Sequence, residues 1–455
     1  MTTVDAEPDR YLLQTGKRPE KVLSRLFRNV HLAGFVVLPH PAAAVTERTF
    51  GRSAGAVASP AVDDGPAPGV TRATRRFELE HRDYPKGLVV LDTARLQYTG
   101  REPVDAFEIA VDLRQGPQLL LDRVLAIVGM EPSFIPARMT DAERAVLIAS
   151  PHPPQPRSAP GSHLTLESRW QDLGLAHLKA LAAQLQQHEP RAWESIEPEG
   201  VHQMRVTARR LREALRTFGP VLPSAETAAL AVELRWLTGL LGTVRDLDVQ
   251  LERLGRAQPA NGRESALDGY RRHLRKRQRA AHRALVDGLA DPRYLEIGRN
   301  LQSLVTAALA AAPTSTDPSI TAAGAEALRR QLRRVRRAGR WAARECAPLD
   351  LHRLRIRAKR LRYFLEYIQP VSGPGISAGV DALSDLQDIL GEHQDACVAY
   401  GDLLRYRESA HLTRRERKAL RRLMEREAAS VEAARARFRA LWPAFAEASR
   451  NLVLC

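Results

Sequence analysis

Apolar residues recur with a helical period of about 3.6 through most of the chain beyond residue 162. This pattern predicts amphipathic helices over residues 163–188, 200–218, 225–255, 264–288, 293–311, 321–345, 351–369, 380–406 and 413–441. Glycine and proline cluster between these helices, in GPVLPS, AQPANG, AAPTSTDPS and SGPGISAG. Short loops between long helices are typical of antiparallel bundles, so the pattern predicts a mainly α fold.

The residues before 163 follow a different pattern. Strands are predicted in RRFELEH, GLVVLDTARLQY and EPVDAFEIAVDLRQG, with a turn at 83–87, and a helix is predicted in LLLDRVLAIVG. We therefore expect a small α+β unit over 71–150. The flanking segments are predicted to be a flexible linker at 42–70, rich in Ala, Gly, Pro and Ser, a proline-rich linker at 151–162, and an N-terminal segment without an assigned fold at 1–41.

An internal repeat organises the helical part. VHQMRVTARRLREALRTFGPVLP begins at Val201, and the matching LHRLRIRAKRLRYFLEYIQPVSG begins at Leu351. Each precedes a second related helix, LTGLLGTVRDLDVQLERL from Leu237 and LSDLQDILGEHQDACVAYGDLL from Leu383. Repetition in the same order indicates a duplicated helical unit, so we expect one helical repeat over 163–311 and another over 321–455.

Each copy carries a cationic stripe beside an apolar face. On a helical wheel at about 100° per residue, the stripe of the first copy is roughly 80° wide and consists of His202, Arg205, Arg209, Arg212 and Arg216. Its apolar face holds Met204, Ala208, Leu211, Leu215 and Phe218. The second copy repeats the stripe with His352, Arg355, Lys359 and Arg362, and the apolar face with Leu354, Ala358, Leu361, Leu365 and Ile368.

Two interpretations of the stripes remain open, a solvated basic surface and an anion-binding surface. Like charges on one helical face cost about a few tenths of a kcal/mol per pair, so helix stability does not explain them. The same phase in both copies favours anion binding. If the repeats pack about a pseudo-twofold axis, the stripes would face a shared groove. Two further basic helices would then form its walls, with Arg272, Arg275, Lys276, Arg279, Arg333 and Arg337.

Charge is distributed unevenly. Residues 1–160 hold 20 basic and 19 acidic side chains, whereas residues 161–455 hold 49 and 34, so nearly all of the net charge of +16 lies in the helical part. The basic residues there are mostly arginine, whose planar guanidinium suits bidentate contact with phosphate oxygens. The helical part is therefore expected to bind a polyanion.

These motifs resemble those of the CHAD family, the conserved histidine α-helical domain. The resemblance rests on His-x-x-Arg-Val-x-x-Arg-Arg-Leu-Arg from His202, Leu-Gly-x-x-Arg-Asp-x-Asp-Val from Leu241, and His-x-x-Arg-x-x-x-Lys-Arg-Leu-Arg-Tyr from His352. It implies duplicated antiparallel four-helix bundles with pseudo-twofold symmetry and a basic cavity or pore that binds inorganic polyphosphate. The implied binding residues are His202, Arg205, Arg209, Arg210, Arg212, Arg216, His352, Arg355, Lys359, Arg360 and Arg362. Arg245 is not included, since the second copy reads HQDACV where the first reads RDLDV.

The smaller α+β unit loosely resembles the late part of a CYTH, or triphosphate tunnel, domain, through FEIAVDLRQG and the residues that follow it. Such enzymes carry an early Glu-x-Glu-x-Lys strand, which does not occur near the start of this chain. Its nearest match is Glu78-Leu-Glu80-His-Arg82, and Glu108, Ala110 and Asp112 stand where relatives would have three glutamates. We expect a degenerate and inactive unit.

Other chemistry is weakly indicated. The acidic residues Asp246, Asp248 and Asp395 are interpreted either as paired carboxylates for acid–base or metal chemistry or, preferably, as partners that orient basic side chains. No HExxH, P-loop or nucleophile–base set occurs, so neither catalysis nor a metal or cofactor is expected. His202 and His352 are either packed residues or ligands that would make binding pH-sensitive.

The sequence therefore predicts a non-enzymatic polyphosphate-binding protein. Widely spaced cysteines, an acidic start and short apolar runs predict a cytoplasmic protein, with localisation on polyphosphate granules as an extension and no membrane contact. Backbone binding of nucleic acid is the alternative, although the stripes carry almost no aromatic residues for base stacking. A triphosphate hydrolase acting through the smaller unit is a third. The oligomeric state stays open.

Overall fold

The computed structural model describes residues 9–13, 19–49, 69–99, 104–131, 134–149, 160–195, 197–256, 266–310, 317–372, 375–450 and 452. The chain divides into two compact units. The N-terminal unit comprises residues 1–156, 188–203 and 279–287, and the helical unit comprises residues 157–187, 204–278 and 288–455. The mainly α fold with a preceding small α+β domain is confirmed.

An antiparallel sheet organises the N-terminal unit. Its strands are β1 (Asp9–Leu13), β2 (Phe35–Thr49), β3 (Gly69–His81), β4 (Tyr84–Tyr98), β5 (Val104–Gln115) and β6 (Phe134–Pro136), in the order β2-β3-β4-β5-β1-β6. The helices are α1 (Pro19–Leu32), α2 (Gln118–Met130) and α3 (Asp141–Ala149). Apolar residues of α1 and α2 pack in one core with Leu79, Leu91 and Ile109 of the sheet. Ala145 and Ile148 of α3 pack in a second core with Tyr98.

The structure corrects two predicted boundaries at the start of the chain. Residues 42–49 and 69–70, predicted as linker, belong to β2 and β3, which pair with each other, while 50–68 lie outside the described residues. The segment 1–41 supplies β1, α1 and the start of β2, so the α+β unit begins well before residue 71. Strand pairing overrides the loop-like composition here, because β3 supplies hydrogen-bond partners that composition does not reveal. Of the proline-rich linker, 151–159 also lie outside the described residues.

An ion-pair network lies within the N-terminal unit. Glu108 is fully buried, and its carboxylate pairs with Arg10 at 2.6 Å, Arg72 at 2.7 Å and Arg144 at 3.4 Å. The fully buried Arg144 also pairs with Glu194 at 2.6 Å. Removing one partner of such a network leaves a buried charge without compensation, which costs about 3–5 kcal/mol. These charges therefore hold the unit together by binding one another.

The helices that follow are α4 (Trp170–Glu194), α5 (Pro198–Phe218), α6 (Ser224–Arg256), α7 (Asp268–Ala290), α8 (Pro292–Ala310), α9 (Ile320–Glu345), α10 (Pro348–Ile368), α11 (Gly375–Ser409) and α12 (Arg414–Ala448). Each overlaps a predicted helix, and the largest differences are that α4 begins at Trp170 rather than at 163 and that α12 ends at Ala448 rather than at 441. A short 3-10 turn follows α5 at Gly219–Val221 and α10 at Gln369–Val371. Repeat 1 contains α4 to α8, and repeat 2 contains α9 to α12.

Backbone contacts at the start of the two repeats show the pseudo-twofold relation directly. The Trp170 amide donates to the Pro318 carbonyl at 2.9 Å, and the Ile320 amide donates to the Ser168 carbonyl at 2.8 Å. The two donors, Trp170 and Ile320, are 150 positions apart in the sequence, and so are the two acceptors, Ser168 and Pro318. The two bonds are therefore related as expected across a twofold axis. This pairing engages the residues before Trp170, which explains why α4 begins late.

Helices α9 and α12 approach closely at Gly339. A Cβ atom added there would overlap the ring of Trp442, which is buried. In contrast, a Cβ atom on Gly298, in the exposed middle of α8, would meet nothing within 4 Å. The same substitution is therefore expected to have opposite effects at these two glycines.

Replacing Gly339 by alanine is expected to lower the free energy of unfolding by about 1–3 kcal/mol, because the ring must move out of a packed core. Gly298→Ala is the matched control and is expected to raise it by up to about 1 kcal/mol through helix propensity alone. Chemical denaturation of the full chain measures both. Equal effects of the two variants would contradict the close approach of α9 and α12.

Candidate functional site

The apolar faces of α5 and α10 are buried as predicted. Met204, Ala208 and Leu211 of α5 are 0% exposed, as are their counterparts Leu354, Ala358 and Leu361 of α10. Burying these faces fixes the rotation of both helices about their axes. The cationic stripes beside them are consequently half-buried, except for the exposed Arg216.

Four cations of the stripes come together and form what we call the cation cluster: Arg205, Arg209, Arg355 and Lys359. They are two counterpart pairs, 150 residues apart. Burial and then the charges of Arg355, Arg209 and Arg205 lower the pKa of Lys359 to about 7. Burial and the charges of Arg209 and Arg205 likewise lower the pKa of Arg355, against the opposing effect of Asp395. The two stripes therefore face each other closely enough to interact.

One acidic residue from each repeat accompanies the cation cluster. Asp246 of α6 pairs with Arg205, with 3.1 Å between Oδ1 and Nη1. Its counterpart Asp395 of α11 is half-buried, and burial raises its pKa despite the nearby charges of Arg355, Arg253 and Lys359. These two carboxylates lie beside basic side chains, which favours the interpretation that they orient cations.

Asp248 belongs to different surroundings. It is buried and accepts a hydrogen bond from Gln278 of α7 at 2.6 Å, and burial raises its pKa. A catalytic pair of Asp246 and Asp248 is therefore not formed. Among the described residues, no group of three or more His, Cys, Asp or Glu side chains is arranged to hold a metal ion.

Three of the four members of the cation cluster have no direct ion pair with a described residue; the exception is Arg205, which pairs with Asp246. Of the residues that the structure describes, no carboxylate lies within 4.0 Å of the charged nitrogens of Arg209, Arg355 or Lys359. The Nε atom of Arg355 is buried and has no hydrogen-bond partner within the described part of the chain. Burying cations without partners costs free energy, so a bound anion would be strongly favoured here.

Other predicted binding residues are already paired with acids. Arg210 of α5 pairs with Glu366 of α10 at 2.8 Å, and Arg362 pairs with the same carboxylate at 2.9 Å. Arg216 and Arg360 each lie 3.7 Å from the buried Glu213. The contacts of Arg210 and Arg360 cross between the repeats and connect α5 with α10, whereas those of Arg362 and Arg216 lie within one helix. Because Glu213 and Glu366 already lie within ion-pairing distance of these arginines, their predicted anion binding requires breaking or sharing an ion pair.

The last predicted residues on the stripes have polar neighbours. Arg212 donates a hydrogen bond to Thr238 of α6 at 2.8 Å, and burial followed by the charges of Arg216 and Arg235 lowers its pKa. His352 lies with its Nδ1 atom 2.7 Å from Oε1 of Gln394, next to Asp395. His202 is half-buried on α5. Arg245, the counterpart of Gln394, adds a positive charge that acts on Arg205.

The predicted groove walls consist mostly of exposed side chains. On α7 and α9, the exposed residues are Arg272, Arg275, Lys276, Arg333 and Arg337, whereas Arg279 is half-buried. None of them is among the main influences on the pKa of Lys359 or Arg355. The charge of Arg272 instead acts to lower the pKa of Glu416 and of Tyr406. A wall role for them therefore remains a prediction.

Sequence reasoning missed two basic residues near the site. The charge of Arg253 of α6 acts to lower the pKa of Asp395, and Arg253 also pairs with the buried Glu427 of α12. Arg334 of α9 acts on Arg360, although its neighbours Arg333 and Arg337 were the predicted ones. A helical wheel of α9, aligned on buried residues such as Leu332 and Val335, is the sequence signal that could have distinguished Arg334 from Arg333 and Arg337.

A family model for the CHAD domain matches residues 176–405, which is half of the chain and spans both repeats. The chain belongs to the CHAD family. Two relatives from Mycobacterium tuberculosis, the uncharacterized proteins MT2285 and Rv2226, are each 31% identical over 219 residues, covering 45% of this chain and 40% of theirs. The match thus spans less than half the length of these relatives.

Two solved structures are similar to this chain. The CHAD domain from the plant Ricinus communis is 25% identical with a TM-score of 0.51, covering 66% of this chain and 98% of that one. PptA from Streptomyces chartreusis is 21% identical with a TM-score of 0.48, covering 61% of this chain and 100% of that one. Within the described residues, no helix is long and apolar enough to cross a membrane.

Because the cation cluster opposes folding, removing one of its charges is expected to stabilise the free protein. Arg355→Met keeps most of the side-chain volume and is expected to raise the free energy of unfolding by about 1–2 kcal/mol in dilute buffer. Thermal unfolding with and without inorganic triphosphate measures this, and the anion should stabilise the wild type more than the variant.

Arg353→Met is the matched control on the same helix, since Arg353 is exposed and paired with Asp350 at 3.2 Å. It is expected to change the stability by less than about 0.5 kcal/mol. If Arg355→Met destabilised the chain in dilute buffer, the cation cluster would not be electrostatically strained, and this description of the site would be wrong.

Proposed function

We propose that this protein binds inorganic polyphosphate, without catalysis, through the cation cluster on α5 and α10. The observation that carries the proposal is the set of three half-buried cations, Arg209, Arg355 and Lys359, that have no carboxylate within 4.0 Å among the described residues. A protein maintains such repulsion at a cost to stability, and a polyanion is the ligand that removes it.

The arrangement suits a linear chain of phosphates. Each repeat contributes two of the four cations, so a polymer that crosses the pseudo-twofold axis meets equivalent charges on both sides. Guanidinium groups contact phosphate oxygens in a bidentate manner, and three of the four cations are arginines. Membership of the CHAD family supports the same ligand, because the resemblance to that family implies polyphosphate binding.

Nucleic-acid backbone binding is the second candidate, and the exposed arginines of α7 and α9 favour it. Base stacking needs exposed aromatic side chains. On the paired helices Phe218, Phe364 and Tyr367 are buried, which leaves the half-buried Tyr363, with the Arg210 guanidinium 5.9 Å from its ring centroid, as a single partly accessible ring rather than a stacking platform. Contacts to a duplex backbone alone require no such rings, so competition between the two polymers is the informative comparison.

For the N-terminal unit we propose a degenerate triphosphate-tunnel domain without hydrolytic activity. Glu108 stands where relatives would carry an acidic triad, and its carboxylate is bound by Arg10, Arg72 and Arg144. Those guanidinium groups are in turn bound by Asp141 or Glu194. Charges that satisfy one another in this way are not presented to a metal–triphosphate complex.

The decisive experiment is a competition titration of the full chain with long-chain polyphosphate and duplex DNA of equal total charge. Wild type is expected to prefer polyphosphate by about tenfold or more, with an affinity that falls steeply as salt rises. Changing Arg205, Arg209, Arg355 and Lys359 together to glutamine is expected to abolish the preference, because the buried charges are lost.

The matched control changes four exposed arginines of α12 to glutamine, namely Arg421, Arg422, Arg426 and Arg439. It removes the same net charge and should keep the preference for polyphosphate. If wild type bound both polymers equally, or if both variants lost the preference for polyphosphate equally, the cation cluster would not be a specific site and the proposal would be wrong. The same incubations with Mg²⁺ and triphosphate should release no orthophosphate, and sustained release would overturn the non-catalytic proposal.

In cells, we propose that binding concentrates the protein at polyphosphate granules. A fluorescent fusion of the variant with the altered cation cluster should be dispersed, whereas the control variant should remain with the granules. Retention of the cluster variant at granules would assign localisation to another surface.

A further inference from the structure

The pseudo-twofold relation breaks at one position of the cation cluster. Arg205 and Arg355 are equivalent arginines, whereas Arg209 has Lys359 as its counterpart. A guanidinium remains charged throughout the physiological pH range, but the charge of an amine depends on its surroundings. Lys359 is therefore the one member of the cluster whose charge can change near neutrality.

Charged groups from several helices face Lys359. Arg205 and Arg209 of α5 and Arg355 of its own helix act to remove its proton, and Asp395 of α11 acts to retain it. The charge of Asp246 of α6 acts to raise the pKa of Arg355 and of Asp395. Helix α9 also packs against α10, and its Arg334 acts on Arg360. Three cations thus oppose one nearby acid at Lys359.

Burial is the largest cause and acts in the same direction. Together with the three arginines it lowers the pKa of Lys359 to about 7. No hydrogen-bond acceptor or carboxylate among the described residues is within bonding distance of its Nζ atom to hold the proton. The free cluster therefore has roughly half a positive charge at this position at pH 7.

We propose that binding of a polyanion is coupled to the uptake of one proton by Lys359, so that the cation cluster binds more tightly in mildly acidic than in mildly alkaline solution. This inference rests on the proposed function, since it concerns the same site. A phosphate chain placed among the four side chains supplies the negative charge that the free site lacks, and the amine then keeps its proton. Binding and protonation therefore strengthen each other.

The sign of the effect follows from linkage. Well below pH 7 the free protein already has a protonated Lys359, so binding takes up no proton at this position and Lys359 contributes no pH dependence. Above pH 7 the bound state holds more protons than the free state, so the affinity falls as pH rises. The fall continues up to the pKa of Lys359 in the complex.

The test measures the dissociation constant of the full chain for long-chain polyphosphate from pH 6 to pH 8.5 at constant ionic strength. Wild type is expected to weaken by about 10- to 30-fold over this range. Lys359→Arg keeps the charge at all these pH values and should remove most of the dependence, with tight binding retained at pH 8.5. Lys418→Arg, at an exposed position of α12, is the matched control and should behave like wild type.

Calorimetry in two buffers of different ionisation enthalpy gives the proton count directly. At pH 8 wild type is expected to take up close to one proton per binding event, and Lys359→Arg close to none. A Lys359→Arg variant with the wild-type pH profile, or a wild type whose affinity is independent of pH, would overturn the coupling while leaving polyphosphate binding intact. Absence of polyphosphate binding at every pH would instead refute the proposed function.

Discussion

Burial of the apolar faces of α5 and α10 is the constraint on which the rest of the site depends. Residues such as Ala208 and Ala358 lie in the core, and this fixes the rotation of each helix. With the apolar faces fixed, the positions of the adjacent stripes are fixed as well, and their side chains lie half-buried except for the exposed Arg216. Hydrophobic burial therefore stabilises an arrangement in which like charges face each other, and the core offsets the electrostatic cost.

Duplication makes this arrangement simple to build. A single cationic helix places a stripe on a surface, but two copies about a pseudo-twofold axis place the stripes opposite each other. Cross-repeat pairs such as Arg210 with Glu366 then connect the helices outside the cation cluster. The chain thus separates its basic residues into those that pair with Glu213 or Glu366 and those of the cation cluster, which pair with neither glutamate.

Periodicity was sufficient to predict the helices, the repeat and the phase of both stripes, because amphipathic faces are local properties of the sequence. Features that depend on distant partners were not predicted. Residues 42–49 form a strand because β3 pairs with them, and their alanine-rich composition gives no sign of this. Asp246 and Asp248 differ only by rotation along α6, and the neighbours Arg205 and Gln278 give them different surroundings. Likewise, one residue step separates the unpaired Arg209 from the paired Arg210.

The central claim is that the polymer binds between α5 and α10, and the structure of a complex with polyphosphate of defined length tests it most directly. The account predicts phosphate oxygens within hydrogen-bonding distance of Arg205, Arg209, Arg355 and Lys359, with the polymer crossing the pseudo-twofold axis. An ordered polymer on the exposed arginines of α7 or α9, with these four side chains free of phosphate, would contradict it.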